Sequence, residues 1–195
     1  MFELTVPHPR FRRSFLAAAA EFLAAGEEMY ANIPDLPADA TFEGLSYTRE
    51  QLEDPAAFER FTSWLAARRD PEAPRPAHFV PCTELWMADG AEYLGRISLR
   101  HELTELLFVW GGQIGYAVRP SARGRGYATR ALGMMLPVCA DLGIDPVLVT
   151  CDTDNDASRR TIECNGGALE DIRDGKMRFW VPTRGSSQPA GPPAG

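Results

Sequence analysis

The chain has 195 residues, 45% of them hydrophobic and 24% charged, and a net charge of −7 at pH 7. That composition suits one well-buried globular domain and excludes a chain disordered throughout or one drawn to nucleic acid by its overall field. No apolar run approaches the ~20 residues that span a bilayer, and Met-Phe-Glu-Leu-Thr-Val-Pro at the start lacks the basic and apolar regions of a signal peptide, which predicts a cytoplasmic protein with no membrane partner.

After Pro7 and Pro9, residues Phe15, Leu16, Ala19, Phe22, Leu23 and Tyr30 recur near one face at helical spacing, predicting an amphipathic helix over 14–31. Asp54 before Pro55 is an N-cap followed by proline at the first helical position. Phe58, Phe61, Trp64 and Leu65 carry this second helix over 54–69, with Arg68 and Arg69 in the last turn. Pro71, Pro74, Pro76 and Pro81 make 70–81 a connecting loop.

From Thr83 the texture changes to strand, with a hairpin around Asp89-Gly90. A loop over 100–112 leads to a third strand, in which Ile114, Tyr116 and Val118 alternate with Gly115 and Ala117. Ala128, Ala131, Leu132, Met135, Leu136, Cys139 and Leu142 then follow one helical face, which Gly143 ends and Pro137 should kink. Pro146-Val-Leu-Val-Thr-Cys151 is a wholly apolar central strand. Asn155 caps a helix running to about Cys164, Gly166-Gly167 end it, and 168–172 with 177–181 form a last hairpin around Asp174-Gly175. Residues 183–195 are mostly Gly, Pro, Ser and Ala and read as a disordered tail behind a single domain over 1–182.

The sum is an α/β (α+β) domain of two helices, three antiparallel strands, a helix, a strand, a helix and a hairpin. The strand-helix-strand unit over 114–151 makes its two strands a parallel pair in an otherwise antiparallel sheet.

Cys82, Cys139, Cys151 and Cys164 form no CxxC pair and read as buried free thiols, and His8, His78 and His101 have no ligand spacing, so no metal site is expected. With a pI near 5.0, an anion must be held by a local arrangement, while a cationic partner is favoured by the global field.

Such an arrangement lies at 118–129, Val-Arg-Pro-Ser-Ala-Arg-Gly-Arg-Gly-Tyr-Ala-Thr. A helix starting near Gly126 leaves its first N–H groups unpaired, with about half a positive charge at that end. Gly124 and Gly126 keep side chains off this backbone, Arg123 and Arg125 add guanidinium donors, and Ala128 is small, so the turn is shaped to cradle a pyrophosphate. A P-loop would need a Gly-Lys-Ser/Thr end that is absent. The dinucleotide fingerprint fails because Thr129 stands where its third glycine belongs.

Arg123, Gly126 and Ala128 do satisfy the pattern Arg/Gln-x-x-Gly-x-Gly/Ala, and Asn155-Asp-Ala-Ser158 and Gly166-Gly167 follow at fitting places. Here the chain resembles the GNAT acyltransferase superfamily, specifically over about 94–172, and more narrowly a bacterial branch of predicted acetyltransferases. The resemblance implies a sheet with a splayed parallel pair, acetyl-CoA as cosubstrate, and transfer of an acetyl group to a primary amine in a ternary complex. It implies that backbone N–H groups of Arg123, Gly124, Arg125, Gly126, Tyr127, Ala128 and Thr129 hold the pyrophosphate, that Val118 runs beside the pantetheine arm, and that Asn155 and Ser158 lie beside that arm or near the thioester. It also implies that the two N-terminal helices help form the acceptor side, and that a homodimer is possible.

Two expected catalytic groups are missing. Thr161-Ile162-Glu163 stands where many relatives carry a tyrosine general acid, and Gly112 and Gln113 where some carry a carboxylate base. His101, Glu102 and Tyr116 are the remaining candidates for catalysis. Without a dependable base, a non-catalytic acyl-CoA-binding module on the same fold is the alternative. The net charge of −7 favours a cationic amine acceptor by steering.

Overall fold

The computed structural model describes residues 1–27, 49–75 and 79–184. One sheet runs in the order β1-β2-β3-β4-β5-β7-β6. Its strands are β1 (Phe2–Thr5), β2 (Cys82–Asp89), β3 (Glu92–Arg100), β4 (Ile114–Val118), β5 (Val147–Asp152), β6 (Ala168–Arg173) and β7 (Lys176–Val181). The α-helices among the described residues are α1 (Arg12–Ala24), α2 (Pro55–Ala67), α3 (Tyr127–Asp141) and α4 (Asp156–Cys164). Neighbouring strands are antiparallel except β4 and β5, the parallel pair that the strand-helix-strand unit requires.

Each face of the sheet has its own core. Leu52, Phe58, Phe61 and Leu65, around α2, pack with Phe11 and Ala18 against Trp86, Ala88 and Tyr93. Trp86 is central there, stacked on Phe15 at 5.1 Å and edge-on to Tyr93 at 5.1 Å, so it is a core residue. On the other face Ala131, Leu132, Met135 and Cys139 of α3 and Ile162 of α4 cover Met87, Ile97, Leu99, Ile114, Val147 and Val149.

The caps act as the sequence indicates. Asp54 accepts from Ala56 N and Ala57 N at 3.4 and 3.1 Å. Gly143, at φ 74°, closes α3 with Gly143 N on Ala140 O and Ile144 N on Cys139 O, the paired bonds of a left-handed helix stop. The helix runs through Pro137 to Asp141.

Four expectations need correction. β1 is a seventh strand, paired with β2, and at four residues it is too short for its alternation to register. The first helix ends at Ala24, with the left-handed Gly26 behind it, and the predicted continuation over 28–31 lies outside the described residues, as do His78 and the tail from 185. Its buried positions are Ser14, Ala18, Ala19 and Phe22, while Leu23 is 40% exposed. Ser14 sets that rotation, because its Oγ accepts from Tyr93 N and donates to Glu92 Oε2. The segment 100–112 is not all loop: Leu107–Gly111 form one turn of π-helix, closed by Gly112 N on Leu107 O at 2.7 Å. Finally, Cys164 is exposed, since α4 buries Thr161 and Ile162 and turns Cys164 outward; the other three cysteines are buried.

Candidate active site

β4 and β5 are joined by one ladder pair among the described residues, Ile114 with Val149. Gln113 fastens that end, its N donating to Leu148 O at 2.7 Å and its Oε1 accepting from Leu148 N at 3.2 Å. Past Ile114 the rungs stop, and a gap opens between the two strand edges. Arg119 N donates to Leu94 O, so Val118 and Gly95 form a non-hydrogen-bonded pair and the N–H and C=O of Val118 turn toward the gap. The Val118 carbonyl there accepts from Arg123 Nε at 3.1 Å.

At the mouth of the gap the chain makes a short 3-10 turn, Pro120–Ala122, and then passes through Gly124 and Gly126 at φ 75° and 74° into α3. Both glycines hold a left-handed conformation that other residues resist, and a Cβ at either would meet nothing within 4 Å. The first bond of α3 is Arg130 N on Gly126 O at 3.1 Å, so the N–H groups of Tyr127, Ala128 and Thr129 precede the ladder, and Gly126 offers no side-chain cap. Tyr127 is fixed by stacking on Phe2 of β1 at 5.2 Å.

The three arginines of this stretch divide their tasks. Arg119 is buried; its guanidinium meets Glu21, Ser14 Oγ, Glu92 and Tyr93 O. Arg123 gives both Nη atoms to Glu27 at 2.7 and 2.7 Å and lies over the Phe22 ring. Its expected place as a guanidinium donor in the cradle is therefore corrected: Arg123 is a brace between the turn and the end of α1. Arg125 is exposed and makes no hydrogen bond or ion pair with a described residue, which leaves it available to an anion. Glu21 and Glu27 went unread in the sequence because nothing local marks an acid as the partner of an arginine 98 or 96 residues away.

Tyr116, Asn155 and Ser158 come together across the gap. Tyr116 Oη is 2.7 Å from Ser158 Oγ, and Ser158 N donates to Asn155 Oδ1 at 3.0 Å. Cys151 of β5 lies beside them; burial pushes its thiol pKa up, and its bond to Ser158 acts in the opposite sense. Asn165 ties the helices that flank this point, donating to Thr129 O and Thr161 O at 3.1 and 2.8 Å. Gly133 makes room for it, since a Cβ there would stand 2.9 Å from Asn165 Oδ1.

His101 and Glu102 are not part of this group. Arg100 N donates to Gln113 O, so His101 sits at the fastened end of the β4/β5 pair, three to four rungs or roughly 10–13 Å along the sheet from Tyr116. Its Nε2 is 2.8 Å from Thr83 Oγ1, and burial holds its pKa below the ordinary value, favouring neutral imidazole at pH 7. Glu102 is exposed. Trp110 is 49% exposed on the π-helical turn, where its carbonyl accepts from Thr150 Oγ1.

This architecture is shared with solved acetyltransferase structures. Microcin C7 self-immunity acetyltransferase MccE, in complex with acetyl-CoA and AMP, superposes with a TM-score of 0.57 at 13% identity over 93% of this chain and 92% of that one. RimL, the ribosomal L7/L12 alpha-N-protein acetyltransferase in complex with coenzyme A, gives 0.57 at 14% over 92% of each. Mycobacterium smegmatis RimJ in complex with CoA-disulfide gives 0.55 at 20% over 92% and 85%. At these identities the likeness is one of fold. No protein of curated function matches the chain in sequence. The model of the acetyltransferase (GNAT) domain matches residues 29–168, well over half of the chain, and the protein therefore belongs to the GNAT family and is an N-acetyltransferase.

Proposed function

We propose that the protein moves an acetyl group from acetyl-CoA to the primary amine of a small molecule or peptide by direct transfer in a ternary complex. The observation that carries this reading is the turn at Gly124 and Gly126, left-handed at both residues, open where side chains would stand, and set at the start of α3 beside the β4/β5 gap. Unpaired N–H groups and the positive end of α3 suit a pyrophosphate, so residues 124–129 with the Arg125 guanidinium would hold it, and the Val118 backbone would run beside the pantetheine arm. The likeness in fold to structures holding acetyl-CoA or CoA supports the same cosubstrate.

Acetyl-CoA supplies the activated thioester. The chain supplies position, which accounts for much of the acceleration in such transfers, and a proton for the leaving thiolate. Tyr116 Oη and Ser158 Oγ share a hydrogen at 2.7 Å in the gap, so either hydroxyl can donate to the leaving thiolate while the other replaces its proton, and the proton that the attacking amine loses restores the pair. Asn155, by accepting from Ser158 N, keeps that serine at the start of α4.

Calorimetric titration with acetyl-CoA, CoA, NAD and ATP in parallel tests the reading. Micromolar binding confined to the CoA compounds, followed by thiol release with an amine, supports it. Binding without release from any amine would leave a non-catalytic module, and absence of CoA binding would overturn the cradle itself.

A further inference from the structure

The sheet face opposite α3 and α4 carries arginines that the transfer chemistry does not use. Along β3, Ile97 and Leu99 enter the core under α3, so the alternating Arg96, Ser98 and Arg100 turn to the α1/α2 side. Arg96 stands opposite Trp86 and Ala117, Ser98 opposite Glu84 and Gly115, and Arg100 opposite Cys82. Gly115 leaves its own place open: the nearest atoms to a Cβ there would be Ser98 Oγ at 3.6 Å and Arg100 Nη1 at 3.7 Å. Ser98 and Gly115 thus make a small floor between two guanidinium stems, and the next residue along β4 is Tyr116 of the gap.

The charges around this floor do not balance. Arg68 of the α2 C-cap, packed over Trp64, pairs with the buried Glu84 at 3.5 Å. With Arg96 and Arg100 that is, among the described residues, three cations against one acid, an excess of two in a chain whose net charge is −7. Arg96 makes no hydrogen bond or ion pair with any described residue. Arg100 engages only Nη1, on Gly111 O and Gly112 O at 3.3 and 3.3 Å. Both are half-buried, and burial, reinforced by Arg68 and Arg96, holds the Arg100 pKa below the ordinary guanidinium value. A guanidinium does not shed its proton in a protein, so a half-buried one without an acid lowers stability unless something anionic arrives.

We propose that Arg96 and Arg100 receive the anionic end of the acceptor: the substrate is an amine that also carries a carboxylate or phosphate, bound over Ser98 and Gly115 while its amine reaches the β4/β5 gap. The inference rests on the acetyl-transfer reading for where the amine goes. The forked donors of arginine match both oxyanions, and one molecule answers both fields, its ammonium attracted by the global charge and its anion by the local pair.

The deciding experiment is a titration of CoA-saturated protein with inorganic phosphate, following the side-chain Nε–H resonances of the arginines. Saturable shifts at Arg96 and Arg100 are expected, and at least tenfold weaker phosphate binding in Arg96→Gln, which removes no bond that the fold uses. Turnover is then compared for ethanolamine, β-alanine and O-phosphoethanolamine. The two anionic amines should exceed ethanolamine at least tenfold in kcat/KM in the wild type and lose that lead in Arg96→Gln at unchanged acetyl-CoA affinity, and their ranking separates carboxylate from phosphate. Phosphate shifts that are absent, or that persist unweakened in Arg96→Gln, overturn the proposal, as does equal use of ethanolamine. If the wild type fails to bind CoA, the acetyl-transfer reading falls instead, and the same titration run without CoA still judges the arginines.

Discussion

Replacing Gly126 by glutamate bears most directly on the cradle. Gly126 sits at φ 74° as the residue before α3, and nothing lies within 4 Å of where its Cβ would stand, so the new side chain enters open space. The cost to folding is the left-handed backbone, about 1–2 kcal/mol. Against the roughly 5–15 kcal/mol that holds a domain together, that leaves the variant folded. In the complex, however, a carboxylate now shares the turn with the bound anion. One negative charge about 4 Å from another costs about 4 kcal/mol at an effective dielectric of about 20. At about 1.4 kcal/mol per decade this is nearly a thousandfold, and salt at this exposed site lowers it to about a hundredfold. Gly126→Ala carries the same strain without the charge and should bind within about threefold of wild type, since it adds neither charge nor contact. Calorimetric titration with acetyl-CoA, with thermal melts to verify folding, measures both. A folded Gly126→Glu protein that binds as well as Gly126→Ala would refute the assignment of the anion to this turn.

Tyr116→Phe and Ser158→Ala should each lower kcat by about 100-fold while leaving acetyl-CoA affinity unchanged, as expected for a proton donor and its partner; full turnover in both would show that the pair moves no proton. His101→Ala and Glu102→Ala should keep kcat near wild type, because these residues stand at the fastened end of the strand pair, and a tenfold loss in either would locate the base there. The Arg119 guanidinium holds the Glu21 pKa down to about 2, so this ion pair's contribution is complete above the unfolded carboxyl value near 4.5 and is lost as pH falls through about 2. Glu21→Gln should therefore destabilise the fold at pH 7, by up to about 3 kcal/mol, and flatten the acid limb of stability measured by urea melts; parallel pH curves for the two proteins would contradict the pairing. Iodoacetamide should alkylate Cys164 first and leave Cys82, Cys139 and Cys151 protected until unfolding, as read by peptide mass, and early labelling of Cys151 would contradict its burial beside Ser158.

What could be read from the residues was what local chemistry decides. Asp54-Pro55, Gly143 and Asn155 mark helix ends because each satisfies or stops the backbone within four residues, and the parallel pair follows from the handedness of a strand-helix-strand unit. Illegible were elements too short to show a period, such as β1 and the π-helical turn, and every assignment that depends on a partner far along the chain. The arginine turn is the instructive case. Read locally, Arg123 and Arg125 in one glycine-rich turn both look like anion ligands. In the fold, Glu27 takes Arg123 and Glu21 takes Arg119, and the turn is fixed at both its start and its middle to a helix on the other face of the sheet. A backbone braced by two ion pairs presents its N–H groups in one arrangement, which is what an anion site of fixed shape needs. The positive charge that the sequence displays thus contributes more to holding the cradle in place than to filling it. The same helix that closes one core therefore sets the turn that the cosubstrate is proposed to use, and a substitution at Glu27 should weaken acetyl-CoA binding without touching any atom of the cradle.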